Sequence, residues 1–189
     1  MPRTLKLSTI KTFMAITCLA VSAQAATAQA KASGGSFGLG STDIGPVVGL
    51  GGIGGAGASF GGRFEHVFKA LPDLANGLLG IQVAADYYSW SSGAGLFNYS
   101  IKYIPVGGTL NYHFKLDEPK LDPFIGLGLG YNIVSCSFDG NTNVGCGYDS
   151  ALYFIGRAGA RYFFSPKMAV YGDLGAGGAT VNLGVMFKM

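Results

Sequence analysis

The chain has 189 residues, enough for one domain, with 49% hydrophobic and only 12% charged residues, against roughly a quarter charged in soluble domains. So few charges cannot clothe a soluble domain, yet no apolar run of about 18 residues follows the first 30 to cross a bilayer as a helix. The formal charge of +3 belongs to the start of the chain: Arg3, Lys6 and Lys11 lie within residues 1–30 with no acidic residue. The remainder balances, which gives no support to nucleic-acid binding.

Residues 1–30 read as a secretory signal peptide. A basic start precedes an apolar stretch from Phe13 to Val21, and Ala23-Gln24-Ala25 or Ala28-Gln29-Ala30 offers a small-residue cleavage site, placing cleavage between 25 and 30. Cys18 lies in the apolar stretch behind Ile16-Thr17, a poor lipobox. Residues 31–44 (KASGGSFGLGSTDI) are expected to be a periplasmic leader or the start of a first strand.

From residue 45 to 189 the pattern changes to period-2 alternation broken by turn residues, which predicts strands near 45–52, 57–68, 78–90, 99–115, 122–135, 150–164, 168–175 and 179–188. Residues 69–77, 116–121 and 165–167 carry Pro, Asp and Asn and read as compact turns on the periplasmic side. The connections near 53–56, 91–98, 136–149 and 176–178 then fall outside.

The stretch DPFIGLGLGYNIV is the most informative. Ile125, Leu127, Leu129, Tyr131 and Ile133 share one face, while Gly126, Gly128, Gly130 and Asn132 share the other. Glycine weakens a strand interior, so a glycine face needs a steric reason, and a crowded lumen inside a narrow barrel supplies one. Other strands repeat the asymmetry. Phe60, Phe64 and Phe68 oppose Arg63 and Glu65; Leu152, Phe154, Tyr162 and Phe164 oppose Arg157 and Arg161; Val181, Leu183, Val185 and Phe187 oppose Asn182. Strand four changes phase between Tyr103 and Leu110 across IPVGG, which predicts a bulge near Pro105 to Gly108.

Aromatics gather towards strand ends, as the two interfacial belts of a membrane barrel require. Tyr87, Trp90, Tyr99, Tyr131 and Tyr153 are assigned to the outer belt, and Tyr112, Phe114, Tyr162, Phe164 and Phe187 to the inner. Cys136 and Cys146 flank a Gly, Asn and Asp loop, SCSFDGNTNVGCGYD, and read as a disulfide closing it. A metal pair or two free thiols are the other readings, and a metal would need two further ligands.

With its signal segment, its GLGLGY and GRAGARYFF strands and its closing VNLGVMFKM, the chain resembles the small outer-membrane β-barrels of Gram-negative bacteria, the OmpA/OmpX-like and opacity-type surface-antigen group. The resemblance implies an all-β, eight-stranded antiparallel up-and-down transmembrane barrel in the cell outer membrane. It also implies contact with outer-membrane lipid and lipopolysaccharide, and with the assembly machinery during insertion. Family barrels commonly end on an aromatic; here Met189 is last and Phe187 stands two before it.

GLGGIG at 49–54 satisfies a dinucleotide-binding pattern, but no helical period follows it, so no cofactor is expected. Some eight-stranded barrels modify lipid A. His66 and His113 are the only histidines, both near inner turns, and neither has a nucleophile placed beside it in the sequence. No catalytic or metal-ligating residue is assigned.

The lumen set is Arg63, Glu65, Gln82, Asp86, Asn111, His113, Arg157, Arg161, Asp173 and Asn182. Three arginines against three carboxylates form a self-neutralising group that should fill a barrel this small. The expected role is structural or surface-interacting, with a surface ligand met through 91–98 and 136–149. A small passive pore or a lateral path for apolar solutes is the alternative, and a lipid A-modifying enzyme the third reading.

Overall fold

The computed structural model describes residues 37–54, 56–94, 97–138 and 149–189. The segment expected to be a signal peptide and most of the expected leader lie outside the described residues. Eight strands follow one another: β1 (Thr42–Ile53), β2 (Ala56–Leu71), β3 (Gly77–Ala94), β4 (Phe97–His113), β5 (Leu121–Phe138), β6 (Leu152–Ser165), β7 (Met168–Ala176) and β8 (Val181–Lys188). Each pairs antiparallel with the next, and β8 pairs with β1, giving a closed barrel in sequence order. Closure removes the free sheet edges that lipid could not satisfy.

Alternation then decides what faces where. Ile125, Leu127, Leu129, Tyr131 and Ile133 are all exposed on the outer wall of β5, Leu127 to 75%. Val48 and Leu50 on β1, Phe60 and Phe64 on β2, Ile81 and Val83 on β3, Leu152 and Phe154 on β6, Val170 and Leu174 on β7, and Leu183 on β8 extend the apolar wall around the barrel. A closed barrel with its apolar residues outside and its charges inside is arranged for a lipid surround.

The glycine face of β5 points inward. A Cβ at Gly126 would overlap the side-chain oxygen of Asn111, and one at Gly130 would overlap the Tyr153 ring. The glycines therefore make room for lumen side chains arriving from β4 and β6.

The predicted bulge near Pro105 to Gly108 is absent. Pairing of β3 with β4 holds one register from Leu78↔His113 to Ala94↔Phe97, and pairing of β4 with β5 holds one from Tyr99↔Phe138 to His113↔Phe124. Ile101 and Tyr103 are buried on the inward face, in phase with Thr109, Asn111 and His113. The backbone continues unbroken, and it is the inward face that passes from polar residues at Thr109, Asn111 and His113 to apolar ones at Tyr103 and Ile101.

The wall is uneven in height. A strand needs about 9–11 residues to span a membrane, and β7 and β8 have 9 and 8. Strands β3, β4 and β5 have 18, 17 and 18, and β5 runs on to Phe138 past its last pair with β6, Tyr131↔Leu152, at the end opposite the 72–76, 114–120 and 166–167 turns. The two longer outer connections therefore shrink: 91–94 and 97–98 belong to strands, as do 136–138. The inner turn after β2 holds Ala75 and Asn76 at φ of 49° and 53°, a left-handed pair that an Asn accepts more readily than an Ala.

Candidate functional site: the lumen network

Two polar tiers cross the lumen. The inner one centres on Arg161, brought in by the inward parity of β6 and fully buried. Its guanidinium pairs with Asp43 of β1 at 2.8 Å, donates to Asp122 Oδ2 of β5 at 2.9 Å and donates to Glu65 Oε2 of β2. The Asp43 contact has ion-pair distance without hydrogen-bond alignment. Glu65 also accepts from Gln82 Nε2 at 3.0 Å and Asn111 Nδ2 at 2.9 Å.

His113 completes this tier. Its Nε2 lies 2.8 Å from Glu65 Oε1 and its Nδ1 3.0 Å from Asp122 Oδ1. With carboxylates on both sides, both ring nitrogens act as donors, as in an imidazolium. Two cationic groups thus join three carboxylates from β1, β2 and β5, and five strands are tied across the barrel. Aromatic faces flank the guanidinium: the Arg161 carbon lies 4.6 Å from the Phe37 ring centre, 5.1 Å from Phe124 and 5.7 Å from Tyr171.

Phe37 comes from the segment before β1, whose turn is fixed to β2 by Gly40 N–H donating to Val67 O and Val67 N–H donating to Ser41 O, both at 2.9 Å. The ring packs with Val67, Phe163 and Ala169 and lies 5.1 Å from the His113 ring. The end of the expected leader is thereby part of the barrel's inner closure.

The outer tier has two pairs. Arg63 binds Asp86 through both terminal nitrogens at 2.9 and 3.1 Å, the planar fork that makes such pairs directional. Arg157 donates to Asp173 Oδ1 through Nε at 2.8 Å and again through Nη2, and to Ala179 O at 2.6 Å. Asp173 also accepts from Asn182 at 2.9 Å and from the Tyr171 hydroxyl. The cavity beside these pairs, lined by Arg63, Gln82, Thr109, Tyr153, Arg157 and Asn182 among others, has a volume of about 20 Å³, room for roughly one water. Above it lies an apolar cluster of Ala56, Tyr88, Tyr103 and Ala179, with Ile53, Trp90 and Val134 against it.

All ten residues of the sequence-derived lumen set take the inward face, and they divide into these tiers with Gln82 and Asn111 serving Glu65. Sequence reasoning missed Asp43, Asp122, Tyr171 and Phe124. Asp43 fell in the 31–44 segment read as a leader or the start of a first strand, and Asp122 opened the predicted 122–135 strand without being assigned to the lumen, although their parity with Gly45 and Gly126 marks them as inward. His66 faces outward and shares a 2.7 Å hydrogen bond with Thr42.

The belt assignment needs correction. Tyr87 and Tyr131 lie on the outer wall, as do Tyr112, Tyr162, Phe164 and Phe187, with Phe114 just past the end of β4. Trp90 and Tyr153 instead point inward, Trp90 into the apolar cluster and Tyr153 onto the small cavity. Tyr99 shares the inward parity of Ile101 and Tyr103. Trp90 and Tyr99 lie towards the end opposite the 72–76, 114–120 and 166–167 turns, where the inward face is the apolar one, and Tyr153 lies lower, beside the polar pairs. Cys136 lies on β5, and Cys146 falls outside the described residues.

No protein-family model and no curated protein matches the chain. Among solved structures, the outer membrane protein OprG from Pseudomonas aeruginosa is similar at a TM-score of 0.51 and 11% identity, over 80% of this chain and 96% of that one. The N-terminal β-barrel domain of Pseudomonas aeruginosa OprF aligns at 0.47 and 16%, over 81% and 100%. Ail, the attachment invasion locus protein of Yersinia pestis, aligns at 0.44 and 14%, over 80% and 96%. The likeness to OprG is one of fold, and it agrees with the closed register and the apolar wall: the chain is a small eight-stranded β-barrel of the transmembrane type.

Proposed function

We propose that the barrel is a structural and surface-interacting protein whose lumen is plugged by its own side chains. The observation that carries this reading is Arg161, joined to Asp43, Glu65 and Asp122 from three other strands beneath a cavity of about 20 Å³. A solute path would have to break several charge-assisted contacts at once. Both ring nitrogens of His113 are engaged by carboxylates, a role in the plug that leaves neither free for acid–base work.

The tall wall of β3, β4 and β5 carries the outer connections, and it supports 91–98 and 136–149 as the contact surface. A Cys136–Cys146 bridge would hold the second of these against protease attack. Insertion by the assembly machinery completes the reading, with Phe187 on the outer wall as the aromatic nearest the end of the chain.

The test is single-channel recording of the full chain in a planar bilayer. The expected result is no steady conductance. A steady conductance that changes in Arg157→Ala would overturn the plugged reading in favour of a pore.

A further inference from the structure

The outer wall of β3, β4 and β5 changes chemistry abruptly along its height. One cross-strand row reads Ala85, Val106, Tyr131. The next reads Tyr87, Ile104 and Ile133, with Ile104 paired to Ile133. Above them come Ser89, Lys102, Ser135 and then Ser91, Ser100, Ser137. Five hydroxyls surround one ammonium, and all six side chains are exposed or half-buried. Behind this plate Tyr88, Tyr103, Trp90 and Val134 pack together, so the hydroxyls are displayed on a supported sheet at a spacing of about 4.8 Å between strands.

Lys102 stands apart from the other described basic residues. Arg63, Arg157 and Arg161 are inside, and Lys69, Lys115, Lys120, Lys167 and Lys188 lie at the inner end. Among the described residues Lys102 makes no ion pair.

We infer that this plate is a docking surface for the phosphorylated saccharide headgroup of an outer-leaflet glycolipid. Continuity fixes the occupant: the rows directly below are apolar and lie against acyl chains, so the group next to the plate is the headgroup those chains carry. Charge complementarity adds a phosphate for Lys102, and the serine array matches a sugar's hydroxyls better than a bare phosphodiester. The inference rests on the outer-membrane placement and on these strand ends being outward, and it is independent of whether the lumen conducts.

The test titrates the full chain in detergent micelles with lipid A, dephosphorylated lipid A and phosphatidylglycerol, reading bound lipid by native mass spectrometry. Wild type should prefer lipid A. Lys102→Glu should weaken that binding about tenfold, Lys102→Gln somewhat less, as expected for losing one charge-assisted contact. Removal of the phosphates should bring wild type down to the level of Lys102→Glu. Combined Ser100→Ala, Ser135→Ala and Ser137→Ala should lower lipid A binding severalfold and leave phosphatidylglycerol unchanged. Equal binding of lipid A by wild type and both Lys102 variants would overturn the proposal, as would phosphatidylglycerol binding as tightly as lipid A. Migration in SDS with and without boiling reports folding separately: loss of the shift in wild type itself would count against the membrane barrel, not against the plate.

Discussion

Arg161 on β6 and Glu65 on β2, 96 residues apart in the chain, meet across the lumen with both side chains fully buried. Neither has a route to water in the folded barrel, so each depends on the other and on the groups around them. Removing one partner of such a pair costs roughly 3–5 kcal/mol because the remaining charge is stranded. Arg161→Met should lower the urea midpoint of the folded, unboiled form by that order. Adding Glu65→Gln should restore part of the loss, and the double-mutant cycle measures the coupling. Additive losses would show that the two side chains do not act as a pair.

Gly130→Ala places a methyl group into the Tyr153 ring. Overpacking of this kind costs about 1–3 kcal/mol. Tyr153→Ala in the same chain should relieve it, so the double variant should be more stable than the two single losses combined predict. Urea unfolding of the four proteins checks this.

Leu127 and Ser100 both face outward, one in the apolar band and one on the polar plate. Leu127→Arg should cost about 2–4 kcal/mol, as a cation does near the midplane of the lipid face, while Ser100→Arg should cost little. Folding yields into lipid vesicles at increasing urea separate the two. Equal effects would move the lipid boundary away from the step between the Tyr87 and Ser89 rows.

Phe37 covers His113 and Arg161 from the inner end. Phe37→Ala removes a buried ring, a change worth about 3–5 kcal/mol in a well-packed core. Urea unfolding of the unboiled form should show a loss of that order in Phe37→Ala and a smaller one in Phe37→Leu, which keeps most of the buried apolar volume.

Most of the architecture was legible because two media enforce a period of two. Lipid outside and a crowded lumen inside leave a parity that Leu127 against Gly126, or Phe64 against Glu65, displays at sight. The same logic failed in β4. Ile101 and Tyr103 were read as lipid-facing because they are apolar, and a bulge was needed to reconcile them with Leu110 and Tyr112. Beyond the lipid, water lies outside, so the hydroxyls turn outward and the apolar rings turn in. Polarity reports the medium, and only pairing register reports the backbone. Asp43 and Asp122 were hidden differently: at strand starts a carboxylate reads equally as a turn residue or as a ligand for a cation on another strand. Arg161, the cation that chooses between those readings, is distant in sequence from both.

That distance has a temporal consequence. Asp43, Glu65 and Asp122 precede Arg161 in the chain, and the strand that closes on β1 is the last one. Contacts of such long sequence separation make folding slow. Without β6 the three carboxylates lack the cation they share, and drying the lumen would strand them at a cost of several kcal/mol per ion. Drying of the interior is therefore favourable only with Arg161 in place.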